Sequence, residues 1–231
     1  MPFSTRRGPV PWLKPGILVG ALAPLAAILM RARSGGLGAN PIAEALNELG
    51  LVALALLMAS LALAPLRTVF GWTWPIRVRR TVGLLAFFYA TLHVSVYAGL
   101  DQAFDWRAIA ADVSKRPFIF VGFAAFTFLI PLAVTSTNAA VRRMGYVKWS
   151  RLHTLVYPAA LLAVIHFVWR VKKDVREPMT YGLILAGLLL VRGVTALRRR
   201  NQHRVAAGAR ASAPSASPQQ GPLPTGRWPQ R

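Results

Sequence analysis

TVGLLAFFYATLHVSVYAGL, residues 81–100, contains no Lys, Arg, Asp or Glu, yet it carries His93 in its interior. As a helix rising 1.5 Å per residue, a run of this length crosses the roughly 30 Å hydrocarbon core of a bilayer. Five further runs share its length and apolar character: Trp12–Met30, Leu49–Leu66, Phe118–Val134, Leu152–Trp169 and Met179–Leu197. With 55% hydrophobic and only 15% charged residues, the 231-residue chain is too apolar for an ordinary soluble domain. The pattern predicts an all-α, multi-pass integral membrane protein built as a six-transmembrane-helix bundle. Arg6 and Arg7 precede the first run and Lys14 stands at its start, as in a signal peptide, but it ends in MRARSGG without a small-residue cleavage site. It is expected to be a retained span.

The net charge of +21 follows the membrane. The stretches before the first run, between the second and third, between the fourth and fifth, and after the sixth, taken together with Lys14 at the start of the first run, hold 18 Lys and Arg and no acid. The three opposite connections hold nine basic residues and all seven acids: Glu44, Glu48, Asp101, Asp105, Asp112, Asp174 and Glu177. By the positive-inside rule both termini are cytoplasmic. These cations already have a topological role, so membrane lipid, and no nucleic acid, is the expected surrounding. The chain divides into a cytoplasmic tail over 1–11, the helical domain over 12–200 and a tail over 201–231. That last tail is rich in Ala, Pro, Ser, Gln and Arg, and by composition it is expected to be disordered. His203 falls in it, where an exposed histidine with no role is the plain reading.

No Gly-rich phosphate loop and no paired carboxylates within a span are present, which excludes nucleotide-driven and hydrolytic chemistry of recognisable form. The chain has no cysteine, which removes disulfides, thiolate metal sites and Cys-ligated clusters together. Histidine is then the main candidate ligand. His93 lies in the third run, and His153 and His166 in the fifth. An ionisable group at membrane depth is costly unless paired, which makes each a functional candidate; the plain alternative is a neutral imidazole bonded to a neighbouring helix.

Depth sorts the three. His93 stands 13 residues beyond Arg80, and His166 stands 15 beyond Arg151. At 1.5 Å per residue their depths differ by about 3 Å, so those two can face each other from different helices. His153 lies near the cytoplasmic interface, about 20 Å along its helix from His166. Two imidazoles alone fall short of a four-ligand structural zinc site, but they suit the axial positions of a haem, whose porphyrin supplies four more nitrogens. Without C-x-x-C-H, that haem is non-covalent and b-type. The aromatics Phe87, Phe88, Tyr89, Tyr97, Tyr157, Phe167 and Trp169 fit core packing as well as a cofactor box. Pro158 is expected to bend the fifth helix, either re-aiming an imidazole or as a packing kink. Arg192, inside the sixth run, either snorkels to headgroups or pairs with a haem propionate. Trp149 reads as an interfacial anchor, and TSTN (135–138) as the polar end of the fourth helix.

RRTVGLLAFFYATLHVSVYAGLD, KRPFIFVGFAAFTFLIPLAVTSTN and RLHTLVYPAALLAVIHFVWRVKKD, in that order, resemble the haem-binding membrane subunits of bacterial periplasmic methionine-sulfoxide reductase systems. These subunits belong to the ferric-reductase-like transmembrane family, which includes the NADPH oxidases. The resemblance runs roughly from Pro11 to Arg200, strongest from Arg79 to Asp174. It implies haem b held by histidines matching His93, His153 and His166, an associated FMN, and a place in the bacterial inner membrane. The implied role is non-catalytic: electrons pass from the respiratory quinone pool, or a flavin reductase route, to a molybdopterin-containing periplasmic subunit that repairs oxidised methionine. The wider family usually carries two histidines in each of two helices, whereas the third run here has only His93. An inner partner for His153 would stand near Arg79 and Arg80. A second, weaker haem or a flavin or quinone site are therefore the readings for His153. The acceptor is expected to dock on the loop holding Asp101, Asp105 and Asp112. The alternatives are a ferric-reductase-like carrier with another acceptor, and a non-redox transporter or scaffold whose histidines only bond between helices.

Overall fold

The structure, a computed structural model, describes residues 12–171 and 174–211. The tail over 1–11, the residues from 212 onward and the side chain of His203 lie outside the described residues. In chain order the helices are α1 (Leu13–Arg33), α2 (Pro41–Phe70), α3 (Trp74–Val96), α4 (Trp106–Lys115), α5 (Pro117–Val134), α6 (Asn138–Met144), α7 (Tyr146–Leu152), α8 (Val156–Arg170) and α9 (Arg176–Ala211). A π-turn over Tyr97–Asp101 prolongs α3, and a 3₁₀ turn over His153–Leu155 joins α7 to α8. No strand occurs among the described residues. Six stretches are long and apolar enough to cross a membrane, one for each run read from the sequence: Leu13–Arg33, Pro41–Arg67, Trp74–Asp101, Pro117–Val134, Tyr146–Arg170 and Arg176–Gln202. The protein is a multi-pass membrane protein.

The chain forms two compact units, one through Val191 and one from Arg192 onward, and the site described below lies in the first. α9 runs on to Ala211, past the point at which disorder was expected. Arg and Ala are strong helix formers, so a helix already launched by an apolar run can propagate through them.

Local signals set the helix ends. Asn40 caps α2, its side chain accepting from Ala43 N–H at 3.1 Å, with Pro41 in the first turn, where a missing N–H is harmless. Gly71, at φ +69°, closes the same helix in the left-handed conformation that glycine takes without strain. Pro117 opens α5, and Thr137 caps α6 through Ala140 N–H at 3.0 Å. Pro158 carries no N–H for Thr154 C=O, and the chain tightens into its 3₁₀ turn there, beginning at His153. The expected distortion near Pro158 therefore takes the form of a tightened turn.

The long helices associate mainly in two pairs, α2 with α3 and α5 with α8. In lipid the driving force is close packing rather than removal of apolar surface from water, so small residues at contacts matter. Ala159 and Ala160 on α8 are fully buried. Leu54, Leu57, Met58 and Leu61 of α2 meet Leu132 of α5 and Val156 and Val164 of α8 in the main core. α1 is fastened by Tyr89 of α3, which is 0% exposed. Its hydroxyl donates to Ala21 C=O and accepts from Leu25 N–H at 3.2 Å, the two groups that an i→i−4 bond would join beside Pro24. Tyr89→Phe is expected to release α1 and lower the thermal unfolding midpoint of the detergent-solubilised protein, by an amount equivalent to about 1 kcal/mol. An unchanged midpoint would contradict the inserted hydroxyl.

Candidate functional site

A cavity of about 420 Å³ lies among α2, α3, α5 and α8, within the size range of small-molecule and cofactor pockets. His93 and His166 both line it. Their ring centres are 6.3 Å apart and the ring planes stand at 85° to each other. The depth argument therefore holds: two helices of opposite pairs bring those two imidazoles together.

Each ring is held by a backbone carbonyl of the helix paired with its own. His93 Nδ1 lies 2.9 Å from Leu46 O on α2, and His166 Nδ1 lies 2.7 Å from Phe118 O on α5. A carbonyl can only accept, so Nδ1 carries the proton in both rings and the lone pair resides on Nε2. This is the tautomer of a metal-binding histidine whose outer nitrogen is oriented by a hydrogen bond. Two imidazoles on opposite sides of one ion, each with a metal–nitrogen bond of about 2 Å, place their ring centres about 6 Å apart. The donor set and its spacing thus fit a bis-imidazole metal site. No group of three or more His, Asp or Glu converges among the described residues, so the four-ligand zinc alternative is not assembled. A haem needs only these two from the protein.

The cavity grades from polar to apolar. Asn40, Asn47, Asp101, Arg116 and Arg170 line one end, and Leu54, Leu57, Phe126 and Leu129 line the other. Arg170 follows His166 by one helical turn, on the same face, and its guanidinium bonds Asn47 Oδ1. Arg116 pairs with Asp112 at 3.0 Å, and Asp112 also accepts from the Tyr97 hydroxyl at 3.1 Å. Arg116 and Arg170 are the cations among the residues that line the cavity. Of the aromatics named from the sequence, Tyr97 and Phe167 line the cavity. Phe87 stacks on Phe126, Tyr89 fastens α1, and Phe88 and Trp169 are exposed.

His153 sits elsewhere. Its Nε2 is 3.1 Å from Thr135 Oγ1, and Trp149 covers its ring at 4.1 Å between centres. Thr135 gives its single hydroxyl proton to Pro131 C=O at 2.6 Å, so toward His153 it can only accept. His153 therefore carries its proton on Nε2, the opposite tautomer to the other two. Trp149 Nε1–H donates to Thr135 O at 3.0 Å, so it braces this cluster and is more than an interfacial anchor. TSTN supplies the bracket: Thr135 to His153 and Trp149, Thr137 to the α6 cap, and Asn138 to Arg80 at 3.0 Å.

Three features escaped the sequence reading. Gly50 and Gly122 lie directly under the two imidazoles. α4 is a ten-residue helix inside a connection read as a loop, with Ile109 buried. The acids named as a docking patch also bond within the chain: Asp105, exposed, caps α4 through Arg107 and Ala108 N–H, Asp112 holds Arg116 and Tyr97, and Asp101, exposed, accepts from Gln102.

Comparison with known proteins agrees with this arrangement. Residues 49–164, which hold His93 and His153 and end two residues before His166, match the family described as "Ferric reductase like transmembrane component". A protein of Rhodospirillum rubrum named "Protein-methionine-sulfoxide reductase heme-binding subunit MsrQ" is 52% identical over 81% of this chain and 90% of its own. Proteins of the same name from Deinococcus radiodurans and Caulobacter vibrioides are each 47% identical. Those alignments cover 85% and 76% of this chain, and 96% and 84% of the relatives. On its fold, its paired histidines and these similarities, the chain belongs to the MsrQ family of methionine-sulfoxide reductase membrane subunits, within the ferric reductase-like transmembrane family.

Proposed function

We propose that the chain is an inner-membrane b-type cytochrome subunit that holds one haem between His93 and His166 and relays electrons outward to a separate reductase. The observation that carries this reading is the imidazole pair, 6.3 Å between centres, with both Nδ1 atoms tied to carbonyls. A haem held by His93 and His166 would supply one-electron chemistry there, and with both imidazoles as its ligands it would carry electrons rather than bind a substrate. The alanines and leucines of the cavity exclude water, while Arg116 and Arg170 would hold anionic groups of the cofactor. By the positive-inside rule the arginine-flanked end faces the periplasm and the His153 end the cytoplasm.

The name of the relatives supports a methionine-sulfoxide reductase as acceptor, and the family resemblance supports a molybdopterin-containing periplasmic subunit in that place. The resemblance likewise supports the quinone pool or a flavin reductase route as donor, with FMN as a second cofactor. The cluster of His153, Trp149 and Thr135 is the candidate entry point, because it lies at the end where such donors arrive and presents a hydrogen-bonded imidazole. Purified protein should be red with a reducible b-type spectrum. Membranes containing it, given quinol, should reduce methionine sulfoxide only when the periplasmic partner is added. A pre-reduced preparation that the oxidised partner does not reoxidise would overturn the relay. His153→Ala should slow reduction by the donor while leaving the bis-imidazole spectrum in place; unchanged donor kinetics with unchanged cofactor content would remove the entry role.

A further inference from the structure

The two histidines share more than a cavity. Leu46, whose carbonyl holds His93, precedes Gly50 by four residues on α2, and Phe118, whose carbonyl holds His166, precedes Gly122 by four on α5. In an α-helix the C=O of residue i accepts from the N–H of residue i+4. Each imidazole is therefore bonded to the carbonyl that its underlying glycine also uses, and the same device occurs in both helix pairs.

The fit is close. A Cβ on Gly122 would stand 2.7 Å from His166 Nδ1 and 2.9 Å from its Cε1. A Cβ on Gly50 would stand 3.1 Å from His93 Nδ1 and 3.2 Å from its Cε1. Such crowding is not a general property of glycines in these spans, since Gly16, Gly20 and Gly187 have nothing within 4 Å of the same position. Nor does helix propensity favour glycine, which destabilises a helix interior relative to alanine by about 1 kcal/mol.

We propose that Gly50 and Gly122 are positioning residues for the axial pair: the absence of a side chain lets each imidazole lie against the neighbouring helix, so that Nδ1–H reaches the carbonyl and Nε2 keeps its lone pair for the metal. This rests on the haem reading above. A methyl group at Gly122 meets the very atom that makes the bond, so the ring must lift away and the Nδ1–H···O=C bond lengthens or breaks. The bond raises the basicity of the ligating nitrogen, which favours the oxidised metal. Its loss weakens the ligand and moves the midpoint potential in the positive direction. The two sites are graded, with Gly122 tighter than Gly50.

The test compares Gly122→Ala, Gly50→Ala and Gly187→Ala in the full-length chain, purified in detergent and titrated with haem. Gly122→Ala is expected to lose about 10- to 100-fold in haem affinity, the usual range for a lost outer partner. The haem that remains should show a more positive midpoint and an altered low-spin electron paramagnetic resonance spectrum. Gly50→Ala should change in the same direction by less, and Gly187→Ala should match the parent. Parental affinity, potential and spectrum in Gly122→Ala would overturn the proposal, as would equal damage from Gly187→Ala. A parent chain that takes up no haem overturns the proposed function instead. In that case nitrogen NMR of isotope-labelled histidine in haem-free protein decides the glycine device: His166 should be the Nδ1–H tautomer in the parent and lose it in Gly122→Ala, and an unchanged tautomer would overturn it.

Discussion

His93→Ala and His166→Ala, made singly, should each abolish the low-spin b-type spectrum of the purified chain. Each substitution removes a first ligand, so the loss should exceed the about 10- to 100-fold typical of an outer partner. The two variants should fail alike, because the rings lie 6.3 Å apart and are oriented by equivalent carbonyl bonds. Neither loss is expected to come from unfolding. Both rings border the cavity, and the carbonyls they release, Leu46 O and Phe118 O, still hold their own helical bonds. His153→Ala is the internal comparison: its Nε2 proton is given to Thr135, away from the cavity, so the spectrum should persist. A near-normal spectrum in either His93→Ala or His166→Ala would end the pairing.

The second large effect comes from filling the cavity. Ala90 precedes His93 by three residues and Ala163 precedes His166 by three, so each alanine shares a helix face with its histidine, and both line the cavity. Ala90→Phe and Ala163→Phe place a ring where the cofactor would lie. Each variant should insert and fold yet purify colourless, with a haem-free thermal midpoint equal to or above that of the haem-free parent. This separates the two readings that the histidine hydrogen bonds alone leave standing. If the imidazoles merely satisfied each other's helices around vacant space, filling that space would add packing and remove nothing. Full haem content in both variants would show that the cofactor lies elsewhere.

The bundle was legible because hydropathy reports membrane thickness directly, and all six runs recur as spans. The pairing of His93 with His166 was legible for a related reason: Arg80 and Arg151 mark one membrane surface, and counting from them gives depth. Helix rotation is not marked in this way. Nothing in LNELG (46–50) or FIFVG (118–122) states that the glycine will turn toward an imidazole, because that depends on how closely α2 approaches α3 and α5 approaches α8. An isolated glycine within a helical run was nevertheless a signal that something packs closely there. Arg116 and Arg170 were counted as loop charges and overlooked as cavity residues, since topology already accounted for them. α4 was passed over although Trp106, Ile109, Ala110 and Val113 have helical spacing, because ten residues are too few to stand out against six spans. The tautomer of His153 depends on where Thr135 sends a single proton, which only the folded arrangement specifies.

The central claim is that His93 and His166 are the two axial ligands of one haem. Low-temperature electron paramagnetic resonance of the oxidised, purified protein tests it most directly, because the spectrum reports both the ligands and the angle between their planes. Rings at 85° predict a single low-spin species of the highly anisotropic type, dominated by one feature at large g, which disappears in His93→Ala and in His166→Ala and survives in His153→Ala. A high-spin spectrum from the parent protein, or a low-spin signal that outlives either of the first two substitutions, would contradict it.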